Sequence, residues 1–294
     1  MSTFLERVNS GALLISDGAT GTYLQQHGLE PGGCPEVLNA DRPELIRQMA
    51  ADYFAAGSDV VETNSFGGSR YMLAKYGHGD RVVELNRLAA EHASTSAPEG
   101  RFVMGSIGPT GEFLEPSGTA TEEEMYAAFA EQVEGLAAGG VDAVCVETMS
   151  DLGEIGLAIR AAKETAGLPV VATMTFDKGP RGFFTMFGVT PAGAAEQLGE
   201  LGADIVGSNC GLPFDPMLEI IGAMREATGL PMLTHVNAGI PKFVGTDIVY
   251  PDTPDFMAEK MKEMAAAGAN IVGGCCGTGP DHVRAFVKAL RPEN

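Results

Sequence analysis

Short apolar runs, each closed by Gly, Pro, Ser or Asn and followed by a helical pattern, recur eight times along this 294-residue chain. The strand candidates are ALLISDG (12–18), DVVETNS (59–65), FVMGSIGP (102–109), DAVCVETM (142–149), PVVATMTF (169–176), DIVGSNC (204–210), PMLTHVNA (231–238) and NIVGGCC (270–276). They are continuous rather than strictly alternating, as strands buried on both faces are. Helical periodicity fills the gaps, with segments at 42–57, 121–140, 190–203, 215–229, 253–269 and 280–290. The first ends on Gly57, a C-cap signal, and the second opens on Thr121 and an acidic turn that suits a helix N-terminus. Eight β-then-α units predict a (β/α)8 TIM barrel. An open doubly wound sheet of six strands would leave units over, and no GxGxxG follows the first strand. No linker or shift in composition divides the chain, so residues 1–294 are expected to form one domain.

Charge and composition narrow the function. A formal net charge of −20 disfavours nucleic acid and anionic membrane surfaces as partners. No uncharged apolar stretch reaches the roughly 18 residues of a membrane-spanning helix. The N-terminus lacks a basic n-region followed by an apolar h-region, so a cytoplasmic protein is expected. Five cysteines in such a chain point to metal binding or catalysis before disulfides.

A barrel gathers the C-terminal ends of its strands at one mouth, where enzymes of this fold work. Those ends carry Asp17-Gly18-Ala19-Thr20-Gly21, Glu62-Thr63-Asn64-Ser65, Ser106-Ile107-Gly108-Pro109, Glu147-Thr148 with Asp151 beyond, Asn209-Cys210, His235 with Asn237, and Cys275-Cys276. Cys210, Cys275 and Cys276 would meet there. Three thiolates without a fourth protein ligand describe a catalytic zinc site with one open position. The adjacent pair needs an irregular backbone to aim both sulfurs at one ion, and Gly273, Gly274 and Gly277 allow it. Cys145, in mid-strand, reads as a small buried thiol, and Cys34 as a loop residue without a ligand role. The open position would take a soft ligand such as a thiol, which loses its proton on binding. Asp17, Glu147 and Asp151 could hold an ammonium, and backbone amides of the Gly18–Gly21 turn a carboxylate. Those three groups together describe homocysteine or a similar amino acid. His235 reads as a satisfied structural histidine.

The motifs LLISDGATGT, AGSDVVETNSF, GSIGPTGEF, AVCVETMSDLGE, SNCG, NAGIP and IVGGCCGTGPDHV resemble the homocysteine S-methyltransferase family, from about Leu13 to Val287. Within it the chain is most similar to the homocysteine-binding barrel of the cobalamin-dependent methionine synthases. The resemblance implies zinc held by Cys210, Cys275 and Cys276. It implies an amino-group contact at Asp17 and Glu147, and a carboxylate contact at Gly18 and Ala19. Thr63 and Asn64 would line the site, and Asn237 would stand near the metal, in the fourth position before substrate arrives. The implied reaction is methyl transfer to homocysteine to give methionine, with methylcobalamin supplied by a separate corrinoid protein. Betaine, S-methylmethionine and S-adenosylmethionine are rival donors. A zinc-binding subunit that is not itself catalytic, and a redox switch at Cys275-Cys276, are rival functions. The folate, cobalamin and activation modules of methionine synthase have no counterpart in these residues, and the aromatic segment FDKGPRGFFTMFG (176–188) departs from that pattern.

Overall fold

Along the chain run β1 (Leu14–Ile15), β2 (Val60–Glu62), β3 (Phe102–Ile107), β4 (Ala143–Met149), β5 (Val170–Met174), β6 (Asp177–Gly179), β7 (Gly182–Phe184), β8 (Ile205–Asn209), β9 (Met232–Val236), β10 (Lys242–Val244), β11 (Asp247–Val249) and β12 (Ile271–Gly274). They belong to a computed structural model that describes residues 2–245 and 247–291. Eight of the strands form one sheet in the order β1-β12-β9-β8-β5-β4-β3-β2, every paired ladder parallel. The barrel expected from the eight apolar runs is therefore present. Its ladders are shorter than those runs, because the run ends bend outward into loops; only Leu14 and Ile15 of 12–18 pair.

The two edge strands, β1 and β2, are joined by carboxylates rather than by a ladder. Asp59 N–H donates to the Ile15 carbonyl at 2.7 Å, and Ile15 N–H donates to Asp59 Oδ2 at 2.8 Å. One turn higher, Glu62 N–H donates to Asp17 Oδ2 at 2.8 Å. Side-chain acceptors thus satisfy edge donors that would otherwise be buried unpaired. Arg101 and Arg291 neutralise Asp59 from the floor of the barrel.

The barrel interior is layered by the period-2 alternation of its strands. The lower layer is apolar: Leu14, Val60, Met104, Cys145, Val171, Ile205, Leu233 and Ile271. Two residues further along their strands come Glu62, Ser106, Glu147, Thr173 and His235, with Asn209 four beyond Ile205. The floor is plugged by the N-terminal helix Phe4–Asn9. Its Phe4 and Val8 are buried, and the Phe4 and Phe102 rings meet at 5.6 Å. No sequence motif announces this plug, since six residues are too few for a periodicity signal.

Outer helices pack their apolar faces on the strands, and their starts follow the expected capping chemistry. Glu122–Ala138 carries a capping box between Thr121 and Glu124, and Thr190 and Thr253 cap Pro191–Glu200 and Pro254–Ala266. The aromatic segment after β5 and the loop after β9 each hold an antiparallel hairpin, β6–β7 and β10–β11. Among the described residues no helix is long and apolar enough to cross a membrane.

Candidate active site at the barrel mouth

Cys210 follows β8 directly, and its backbone adopts φ +61°, with Gly211 at +71°. A left-handed non-glycine residue is costly and persists only where its surroundings hold it. Here Cys210 N–H donates to the His235 carbonyl at 3.0 Å, and Leu212 N–H to the Cys210 carbonyl at 2.8 Å. The turn carries the Cys210 sulfur toward the end of β12. There Cys275 N–H donates to the Val236 carbonyl at 2.8 Å, and Cys276 N–H to Asn237 Oδ1 at 3.1 Å. Gly277, at φ +83°, completes the bend that lets adjacent thiols face one point.

The three sulfurs lie within 4.8 Å of one another, and Cys210 Sγ and Cys276 Sγ are 3.9 Å apart. Four ligands around zinc at a Zn–S distance of about 2.3 Å would set sulfurs about 3.8 Å apart, so the donor set fits that ion. Clustering also redistributes protons. S–H donors on Cys275 and Cys276 pull Cys210 down to about 3, while Cys275 and Cys276 are held above the ordinary thiol range by their contacts with Cys210. A ring hydroxyl, that of Tyr250, reaches the Cys276 sulfur from the loop after β11.

Below the thiols, Glu147 is aimed by an irregularity in β4. The β4–β5 register shifts between Val146 and Met149, and Thr148 sits at φ +60° with its N–H donating to Asn209 Oδ1 at 2.8 Å. Such bulges re-aim side chains beside active sites. Glu147 accepts from the Ser106 hydroxyl at 2.6 Å and from Asn209 Nδ2 at 3.1 Å, and burial pushes its carboxyl up to about 7. Asp17 is likewise raised to about 7 by burial.

A cavity of about 310 Å³ opens over these groups. Of the residues expected in the site, Cys210, Cys275, Cys276, Gly18, Ala19, Glu147, Thr63 and Asn64 line it. Asp17 and Asn237 stand behind its wall, Asp17 engaged by Glu62 N–H and the Ser16 hydroxyl. Ala19 N–H already donates to the Thr278 hydroxyl at 3.2 Å. Asn64 turns its amide away, to the Pro35 carbonyl at 2.8 Å and Asn39 Oδ1 at 2.9 Å, and so braces the loop over the mouth. Thr63 holds Ser106 N–H at 3.1 Å. Asp151 caps Leu152–Ala166 through Gly153 N–H. Cys145 lies in the lower layer and Cys34 donates to Glu36 at 3.3 Å, and neither belongs to the thiol cluster.

His235 departs from expectation. It is buried, yet its Nε2 has no hydrogen-bond partner among the described residues, and its Nδ1 stands 3.9 Å from Glu62 Oε2. Glu62 also lines the cavity, although the motif reading singles out Thr63 and Asn64 instead. The signal was strand parity: residues 60, 62 and 64 alternate with 61 and 63, and Val60 faces the barrel interior.

The sequence profile of the family described as homocysteine S-methyltransferase matches residues 14–290. Methionine synthase of Mycobacterium tuberculosis is 35% identical over 99% of this chain and 26% of its own length. That of Mycobacterium leprae is 34% identical over 99% of the chain and 25% of its own length. The chain thus spans about a quarter of the length of these relatives. Among solved structures, the metallated homocysteine methyltransferase MmuM of Escherichia coli superposes with a TM-score of 0.78 at 22% identity, covering 96% of this chain and 97% of that one. At that identity the likeness speaks to the fold.

Proposed function

This chain belongs to the homocysteine S-methyltransferase family, and from that premise we propose that it transfers a methyl group to the thiol of homocysteine, giving methionine. The observation that carries the reading is the cluster of Cys210, Cys275 and Cys276, with sulfurs within 4.8 Å of one another beside a carboxylate-lined cavity. Those three cysteines would hold zinc. A zinc ion held there would supply a Lewis acid that favours the thiolate form of an incoming thiol, whose proton would go to solvent. Asn237 and Tyr250 orient and hydrogen-bond the ligand sulfurs from behind. Glu147 takes the substrate ammonium, Asp17 supports the same corner through its bond to Glu62, and the Gly18–Gly21 turn faces the carboxylate. The homocysteine sulfur forms its bond to the methyl carbon as the donor's bond to that carbon breaks, the electron pair leaving with the donor.

A protein-borne methylcobalamin is the donor we favour. The two Mycobacterium relatives described above are methionine synthases of about four times this chain's span. The mouth is also ringed with exposed apolar side chains: Phe66, Tyr76, Phe113, Met186, Phe187, Ile240, Phe243, Ile248 and Val249. They come from the loops after β2, β3, β5 and β9, and a freely diffusing donor has no use for such a collar. The net charge of −20 disfavours nucleic acid as a partner.

Zinc-loaded protein should methylate homocysteine with methylcobalamin, better still with a corrinoid protein carrying it. Turnover with S-methylmethionine, betaine or S-adenosylmethionine and none with methylcobalamin would refute the donor. No stoichiometric metal, or no methionine from any donor, would refute the reaction.

A further inference from the structure

The floor of the barrel holds a second cavity, of about 380 Å³, at the opposite end from the thiols. Three guanidiniums converge on it: Arg7 from the N-terminal plug helix, Arg101 from the turn that leads into β3, and Arg291 from the end of the last helix, Pro280–Leu290. In a chain with 39 acidic side chains against 19 lysines and arginines, composition alone does not gather three positive charges in one hollow.

The carboxylates of the floor do not balance them. Asp59, buried, pairs with both Arg101 and Arg291, although one arginine would neutralise it. Glu99 is exposed on the rim, and among the described residues neither it nor Arg7 makes an ion pair. Three guanidiniums less the buried carboxylate leave two positive charges over the cavity, with Glu99 as the one solvated counter-charge on its lining. A concave wall of one sign focuses the field and draws in the opposite ion.

The arms are set in advance. Arg291 Nη2 donates to the Leu13 carbonyl at 2.8 Å, and its Nη1 to Asp59 Oδ1 at 3.1 Å. Arg101 is carried on a turn closed by its N–H to the Pro98 carbonyl at 3.1 Å, with Gly100 at φ +78°. Arg7 rides on a helix pinned by the buried Phe4 and Val8. A guanidinium has five N–H donors, so each arm keeps donors to spare. Planar forks held in this way match phosphate oxygens bidentately and lose little freedom on doing so.

We propose that the floor cavity binds a phosphate dianion, free or as the monoester of a small molecule. Its two negative charges match the two in excess. The cavity is also larger than the one at the mouth, which leaves room for the organic arm of a monoester. The bound anion ties together the plug helix, the start of β3 and the end of the last helix, and so braces the β1–β2 seam that Asp59 closes. The site is independent of the reaction proposed above.

The test is calorimetric titration of the full chain with inorganic phosphate, β-glycerophosphate and succinate at a fixed ionic strength of about 0.15 M. Wild type should bind phosphate at a single site per chain. Arg7→Ala, at an exposed position outside the seam, should weaken it by roughly 10-fold, the lower end for a hydrogen bond to a charged group. Arg7→Lys, which keeps the charge without the fork, should fall between. Arg47→Ala removes the same charge from an outer helix, where Arg47 pairs with Glu44, and should bind phosphate as wild type does. Glu99→Gln should bind it more tightly. No saturable binding, equal affinity in wild type and Arg7→Ala, or equal losses in Arg7→Ala and Arg47→Ala would overturn the site. Succinate bound as tightly as phosphate would overturn the phosphate assignment in favour of a dicarboxylate. Arg7-dependent binding that is tighter for β-glycerophosphate would support the site with a monoester as its ligand, and the reverse order would support it with the free ion.

Discussion

Asn237 joins the two halves of the thiol cluster without lining the cavity. Its Oδ1 takes Cys276 N–H at 3.1 Å, and its hydrogen bond helps hold Cys210 low. Partners of this kind, one shell behind the ligands, typically govern metal affinity by 10- to 100-fold. Asn237→Ala should therefore lose zinc to a chelator at roughly 10-fold lower chelator concentration, with the protein still folded by circular dichroism. Cys276→Ala should fall well below one zinc per chain by elemental analysis. A full complement in that variant would show that the third sulfur is dispensable. The cysteines were legible in the sequence because adjacent thiols between glycines have few structural uses. Glu62 and His235 were not, because a single carboxylate or imidazole in an apolar strand looks the same whether its partners are present or missing. Only the count of hydrogen bonds in three dimensions separates the two cases.

At the scale of elements, the weak point of the barrel is the seam between β1 and β2. Asp59 closes it through Ile15 N–H and its own N–H, and is held by Arg101 and Arg291. Removing one member of a largely buried pair leaves the others uncompensated. Asp59→Ala should destabilise the fold by roughly 3 kcal/mol in urea unfolding, without altering zinc content, since the seam lies at the opposite end of the barrel from the thiols. Higher up, Asp17 and Glu147 carry carboxyls raised to about 7 by burial. Folded protein binds those protons more tightly than the unfolded chain. Their contribution is thus fully present below about pH 4, the ordinary carboxylate range, and is lost as pH rises toward 7. Cys210 and His235, held low at about 3 and about 4, shift stability the other way over the same window, so the test is differential. Glu147→Gln, which mimics the protonated acid, should gain stability over wild type at pH 7.5 relative to pH 5 in urea unfolding of ligand-free protein. An unchanged difference between the two pH values would contradict the placement of Glu147. The helices were legible from their Thr caps and apolar spacing, such as Thr121 with Glu124. The hairpins β6–β7 and β10–β11 were not, since their three-residue strands are too short for periodicity.

For the whole molecule, apolar exposure and charge are sorted rather than scattered. Nine of the eleven large exposed apolar side chains among the described residues sit on the strand-to-helix loops at the mouth, the rim that the proposed protein-borne donor would meet. Phe243 is the most exposed of them, at 81%. Phe243→Ser should leave the melting temperature and homocysteine binding unchanged. It should also raise the KM for a protein-borne methyl donor several-fold and leave that for free methylcobalamin alone. The net charge of −20 means self-repulsion in the folded state. Adding salt from about 0.01 M to 0.15 M shortens the screening length from roughly 30 Å to 8 Å, and the melting temperature should rise accordingly. The sequence by itself determined the eight-unit barrel and the identity of the three thiols, because both are written in local patterns: strand-length apolar runs, helix caps, and a cysteine pair set among glycines. Tertiary structure alone decided which inward-facing groups meet, that Asp17 seals a seam and Asn64 braces a loop, and that Glu62 Oε1 and His235 Nε2 lack hydrogen-bond partners among the described residues. Those outcomes depend on distances between residues far apart in the chain, and local pattern carries no information about such distances.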